Sequence, residues 1–229
     1  MTHSGHPEWL AGIPLLACLH PEERAALLGA GRLIKLGRGE ALWRRGEHAE
    51  HLGVVVSGRL KLVRRLRREV IVDLSGPGDL LGEVALVCDR RYQYDVVCLR
   101  RAEVWLLPAA PLLVQLEARR GAGLALASQL ATQVLRLTRR VETLGARSVE
   151  QRLARVLVGL ADRFGQPFPG GTLVPLRLRR EDLASLAGTR GETTIRRLSQ
   201  WKRAGLLVPQ PVGYLLRDLG ALRDIARGR

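Results

Sequence analysis

Three textures of hydrophobic and polar positions follow one another along the chain. Residues 8–30 read as helical, and His20-Pro21-Glu22-Glu23 marks a helix start. Proline is tolerated at an early helical position, and acids suit the positive first turn. Between residues 31 and 107 short apolar runs recur, at Leu52–Val56, Leu60–Val63, Val70–Leu74, Val96–Leu99 and Val104–Leu107, with glycines between them. Short strands at regular spacing predict an all-β sandwich or barrel, and Ser57-Gly58 between two runs predicts a hairpin turn. From about Pro111 to Leu144 the pattern becomes helical. Ala127, Leu130, Val134, Leu137, Val141 and Leu144 are spaced 3, 4, 3, 4, 3, an a/d seam sustained over several turns. A helix of ~22 residues is ~33 Å long at 1.5 Å per residue, long for one face of a small β domain. The seam therefore predicts a homodimer helix with Leu130, Val134, Leu137, Val141 and Leu144 at the interface. A helix packed on its own domain is the plainer alternative.

Gly145-Ala146-Arg147 breaks the periodicity and marks a domain boundary. Residues 148–165 read as a helix with Leu153, Val156, Leu157 and Leu160 inward, Pro167–Gly171 as a loop, and Leu176-Arg177-Leu178-Arg179-Arg180 as a basic run. Glu181-Asp182 opens a helix with Leu183, Ala184, Leu186 and Ala187 on its apolar side. Gly188-Thr189-Arg190 is a tight connection, and a second helix starts near Gly191 with Ile195, Leu198 and Trp201 inward. Two helices joined by a short Gly-containing turn form a helix-turn-helix. Glu192 and Arg196 lie four apart and share one face, flanked by Thr193 and Ser199. Arg can bond guanine O6 and N7 together, and Glu can accept from cytosine N4. As a plain surface ion pair the two would contribute only ~0.2–0.5 kcal/mol. The turn before them, the basic run, and an apolar pair of segments over 206–216 that reads as a hairpin favour DNA reading. Pro209 and Pro211 suit the tip or edge of that hairpin, where a missing N–H is tolerated.

Charge sharpens this. The 229 residues hold 37 Lys+Arg against 22 Asp+Glu, a net +15, and only Lys35, Lys61 and Lys202 are lysines. That excess suggests a polyanionic partner, although an arginine-rich genome bias gives the same figure. Residues 147–229 carry +9 and residues 1–146 carry +6, so the density is higher at the C-terminal end. Hydrophobic residues at 46% exclude a disordered basic tail. No apolar run reaches the ~18–20 residues of a membrane span, and MTHSGHPEW lacks the pattern of a signal peptide. Cys18, Cys88 and Cys98 fit neither a disulfide framework nor a CxxC site, which predicts a cytoplasmic protein. Among His3, His6, His20, His48 and His51, no histidine follows position 51 to complete a cupin-like metal set. With no phosphate-loop or nucleophile-elbow motif either, the expectation is no enzyme and no metal. Trp9, Trp43, Trp105 and Trp201 read as core anchors.

The ordered series is similar to the CRP/FNR family of bacterial transcription regulators. It runs through Gly39-Glu40-Ala41-Leu42, Gly53–Gly58 with Lys61, Gly76-Pro77-Gly78-Asp79-Leu80-Leu81-Gly82-Glu83 and Ala102-Glu103-Val104. It continues with Ser148–Ala154 and Gly188-Thr189, Glu192-Thr193, Arg196 and Leu198. The resemblance covers nearly the whole chain. It implies an α+β fold: a double-stranded β-helix jelly roll of the cyclic-nucleotide-binding type, a long dimerisation helix, and a winged helix-turn-helix. The implied division is 1–110 for the sensor, 111–146 for the dimerisation helix and hinge, and 147–229 for DNA binding. It also implies a homodimer on near-palindromic double-stranded DNA, contact with RNA polymerase, and no membrane. Glu192 and Arg196 would read bases, Arg179, Arg180, Arg190 and Thr193 would hold the backbone, and Thr189 would belong to the same DNA-binding set.

Two departures bear on the effector. Cyclic-nucleotide members follow Gly-Glu with an Arg-Ser pair that holds the phosphate. Here Gly82-Glu83 is kept, but Tyr92-Gln93 stands at the pair, followed by Tyr94-Asp95. On the dimer helix Gln133, Leu137 and Thr138 replace an Arg and a hydroxyl pair. Both departures argue against cyclic AMP, although Arg90 and Arg91 offer charge nearby. Tyr92 and Tyr94, alternating on one strand face, can line a pocket for an aromatic or lipid-like small-molecule effector, or simply pack. Cys88 lies in a loop where a haem-binding relative carries ligands, and a thiolate can hold haem iron, so haem or redox sensing stays open. Cys98 reads as core. A regulator without a ligand, and a sensor or interaction module without a specific DNA site, are the remaining alternatives.

Overall fold

A computed structural model describes residues 7–229. His3, His6 and the rest of residues 1–6 lie outside the described residues. By contacts the chain divides into two units: residues up to Arg64 together with Val72–Arg136, and Arg65–Ile71 together with Leu137–Arg229. Among the described residues no helix is long and apolar enough to cross a membrane.

The first unit opens with a short 3-10 turn, Glu8–Gly12, and the helices α1 (Pro14–Ala17) and α2 (Pro21–Gly29). Glu23 in the first turn of α2 accepts from the His20 N–H at 3.2 Å. Six strands follow: β1 (Arg32–Gly37), β2 (Ala41–Trp43), β3 (His51–Arg65), β4 (Glu69–Ser75), β5 (Leu80–Leu81) and β6 (Asp95–Pro108). They pair antiparallel in the order β1-β6-β3-β4, with β2 on β6 and β5 on β3. Alternation along β3 and β6 builds two cores. Leu52, Val54, Trp105 and Leu107 face the helices, while Val55, Leu62, Val104 and Leu106 face the sheet interior.

Ser57-Gly58 is not a hairpin turn. The two apolar runs it separates belong to one 15-residue strand, β3, and the runs at 96–99 and 104–107 likewise share β6. The pairing slips between Val55 and Ser57 and again between Gly58 and Leu60. Such bulges bend a strand without ending it. Gly58 sits at φ +81°, where a Cβ would collide with the Arg101 carbonyl oxygen, so glycine permits the bend and the close crossing.

A short helix, α3 (Glu83–Val87), follows β5. The single helix expected over 111–144 is two, α4 (Ala109–Ala118) and α5 (Arg120–Leu144), separated at Arg119. The Arg119 guanidinium binds both carboxylate oxygens of Glu23, at 2.7 and 2.8 Å, and holds Glu23 below the usual carboxylate range.

In the second unit, α6 (Val149–Phe164) is capped by Ser148, whose hydroxyl accepts from the Gln151 N–H at 3.1 Å. Leu153, Ala154, Leu157, Leu160 and Phe164 are its buried face; Val156 is only half-buried. The segment expected as a loop at Pro167–Gly171 is part of a hairpin, β7 (Gln166–Phe168) and β8 (Gly171–Val174). Next come α7 (Arg180–Leu186), α8 (Gly191–Arg203), β9 (Leu207–Gln210) and β10 (Gly213–Leu216). The four strands order as β7-β8-β10-β9. A last helix, α9 (Leu219–Arg227), packs on α6. Trp43, Trp105 and Trp201 are buried, but Trp9 is 44% exposed, because in its short turn the neighbouring Leu10 takes the inward position.

Candidate sensor cavity and nucleic-acid interface

The sensor-side residues converge on a small cavity in the first unit. Its lining includes Trp43, Gly82, Glu83, Tyr92, Gln93, Tyr94 and Gln133, and its free space is about 20 Å³, room for roughly one water. Tyr92 fills what would otherwise be open. Its ring stacks on Trp43 at 3.9 Å and 1°. Its hydroxyl donates to the His51 carbonyl at 2.9 Å and accepts from the His51 N–H at 3.3 Å. Gly82, at φ +91°, lies under this stack, with its Cβ position 3.1 Å from the Tyr92 ring.

Glu83, the first residue of α3, is buried beside the stack, and desolvation raises its pKa to about 7. The opposing influences are smaller: its own backbone N–H, then the Arg136 guanidinium. Arg136 is committed to Asp73, at 2.8 Å. No Lys or Arg is among the described residues that line the cavity.

Several expected pocket residues stand elsewhere. Tyr92, Gln93 and Tyr94 lie in a bend before β6, not on one strand face, which is why all three reach the cavity. Cys88 ends α3 as an exposed residue outside the lining. Leu137 and Thr138 are not in the lining either. The helical repeat turns Gln133 inward, whereas Leu137 is half-buried and Thr138 exposed. Arg91 donates to the Gly46 carbonyl at 2.8 Å, and neither it nor Arg90 lines the cavity. Asp95 is buried away from it, accepting from the Arg45 N–H at 2.8 Å. Cys98 is buried, and desolvation raises its thiol pKa. Trp43, the stacking partner, has no sequence spacing that ties it to Tyr92; only the pairing of β2 with β6 brings the two regions together.

In the second unit the helix-turn-helix is braced from several sides. Arg140 donates to the Leu186 and Ser185 carbonyls at the end of α7, at 2.6 and 3.0 Å. Arg152 donates to the Ala187 carbonyl at 2.9 Å. Glu150 on α6 accepts from Trp201 Nε1 at 3.3 Å and pairs with Arg197 at 3.2 Å, which anchors α8. Thr194, not Ile195, takes the most buried position of the first turn of α8, and its hydroxyl bonds the Arg190 carbonyl at 3.1 Å. Ile195 is half-buried.

That rotation leaves Glu192 and Arg196 exposed together on the outer face, with Thr193 half-buried beside them. Arg190 is exposed at the N-cap, and Thr189 is half-buried in the turn. Arg179 and Arg180 are exposed at the start of α7, because Leu176 and Leu178 alternate inward ahead of them. Asp182, buried, accepts from the Arg179 N–H at 2.9 Å and fixes that start.

Comparison with known proteins assigns both units. The family model for a cyclic nucleotide-binding domain matches residues 33–119, and that for a Crp-like helix-turn-helix domain matches residues 151–225. Regulatory protein CysR of Synechococcus elongatus is 31% identical over 161 residues, covering 69% of this chain and 71% of that protein. The chain belongs to the CRP/FNR family. It is a DNA-binding transcription regulator by that membership. A CRP-like cAMP-activated global transcriptional regulator of Mycobacterium tuberculosis is 25% identical over 222 residues, covering 96% of this chain and 99% of its own length. The crystal structure of a CRP-family regulator from Thermus thermophilus superposes with a TM-score of 0.72 at 26% identity, covering 85% and 96% of the two chains. A cyclic nucleotide needs space for a base and a partner for its phosphate charge. Here the Tyr92–Trp43 stack fills the space, and the described lining residues include no Lys or Arg. These residues do not fit a cyclic nucleotide.

Proposed function

We propose that this chain is a homodimeric, cytoplasmic regulator that reads near-palindromic DNA with one α8 per half-site and works with RNA polymerase. Residues 1–110 serve as the sensor, 111–146 as dimerisation helix and hinge, and 147–229 as the DNA-binding part. The observation that carries the reading is the exposed Glu192–Arg196 face of α8 on a winged scaffold braced from α5 and α6. Glu192 and Arg196 read base edges; Arg179, Arg180, Thr189, Arg190 and Thr193 hold phosphates, which positions without specifying. A dimer that sets two α8 helices ~34 Å apart enters successive major grooves.

In this reading the effector is something other than cyclic AMP. An effector that enters the cavity has to move Tyr92 off Trp43, and it acts by binding one arrangement of the dimer more tightly than the other. Footprinting on the DNA upstream of the gene tests the reading. Two protected half-sites about one turn apart support it. Uniform protection at every sequence would sink it.

A further inference from the structure

The turn between β3 and β4 reads Arg64-Arg65-Leu66-Arg67-Arg68, against a single following acid, Glu69. Residues 65–69 are all exposed, and Leu66 is 68% exposed. An exposed apolar residue among four guanidinium groups adds nothing to a core. So high a density of one charge on a narrow ribbon raises the local potential and favours a polyanion.

Its place within the second unit identifies which one. The Ile71 N–H donates to Ser185 Oγ at 2.9 Å, and that hydroxyl donates to the Glu69 carbonyl at 3.4 Å. Arg68 Nη1 donates to the Thr189 carbonyl at 3.5 Å, in the turn that enters α8. The basic tip therefore stands beside the end of α7 and the start of α8, next to Arg190.

We propose that this tip is a second DNA-backbone contact, in which Arg65 and Arg67 take phosphates flanking the groove that α8 enters. The inference rests on the reading of the chain as a DNA-binding regulator. It adds a surface outside the helix-turn-helix. Phosphate contacts carry no sequence information, so the tip strengthens binding to every duplex.

The test uses the full-length protein with R65A/R67A, and equilibrium binding to the footprinted duplex and a scrambled one over about 50–200 mM salt. Both affinities are expected to fall with their ratio unchanged. The slope of log K against log salt should become shallower by ~0.9 for each phosphate that the variant no longer neutralises. R65K/R67K should keep both, since a phosphate accepts a point charge. A melting curve matching the parent's excludes unfolding; if it shifts, R65Q/R67Q replaces the alanines. An unchanged slope overturns the proposal. So does unchanged DNA binding with transcription lost in a purified polymerase assay, because the partner is then a protein. A parent that fails to discriminate between the duplexes would instead defeat the base-reading proposal, and the slope comparison would still judge the tip.

Discussion

Glu83 carries a stability cost that depends on pH. Its pKa in the folded chain is about 7 against an ordinary 4.5, so folding tightens its hold on the proton. The stabilisation linked to that proton is fully present below pH 4.5 and is lost as pH rises through 7. At 1.36 kcal/mol per pKa unit it amounts to ~3 kcal/mol. Glu83→Gln keeps the shape and removes the titration. The variant should therefore gain stability relative to the parent as pH rises from 4.5 to 7, as urea melts at several pH values would record. Parallel pH profiles would show that burial does not govern this group. Arg196 makes a separate prediction at this scale. Arg196→Ala should cost ~1–3 kcal/mol on the specific duplex and relax one base position. Equal losses on specific and scrambled DNA would remove its base-reading role. The family residues Gly82 and Glu83 were legible in the sequence; their plugged neighbourhood was not. Tyr92 meets Trp43 only because β2 pairs with β6, a contact between residues 49 positions apart.

The helix α5 shows what an amphipathic pattern tells and what it leaves open. The expected seam ran through Leu130, Val134, Leu137, Val141 and Leu144. In the structure Leu130 packs against the first unit's own core, and Leu137 is half-buried. Val134, Val141 and Leu144 of that seam are exposed, by 59, 70 and 44%, and Leu124 and Leu135, at 71 and 59%, extend the apolar surface to one side. Burying one such side chain contributes ~1.5–3 kcal/mol, which is what the proposed homodimer would gain by covering this face. Val134→Glu with Val141→Glu places two carboxylates on the stripe without touching the buried side. The double variant should fold and sediment as a monomer; one that stays dimeric would move the interface elsewhere. Ser57-Gly58 taught a related lesson. A glycine between two apolar runs looks the same whether the strand turns back or bends and continues, because either conformation uses positive φ.

For the molecule as a whole, the proposed dimer makes a geometric prediction. If two α8 helices read half-sites one turn apart, inserting about five base pairs between them turns one half-site to the opposite side of the duplex. Affinity should then fall to that of a single half-site; unchanged affinity would mean that the two helices are not rigidly linked. The order of parts was already written in the chain: β runs punctuated by glycine, a long amphipathic helix, then a helix-turn-helix with Glu192 and Arg196 on one face. Local periodicity and turn chemistry specify these, since each depends on residues within a turn or two. The tertiary structure decided how distant segments meet. It joined four apolar runs into the two long strands β3 and β6, closed the cavity with Tyr92 on Trp43, and turned Cys88 outward. It also set the arginines of the β3–β4 tip beside Thr189. Those outcomes depend on long-range pairing and on which side chain wins a shared space, and no local pattern carries that information.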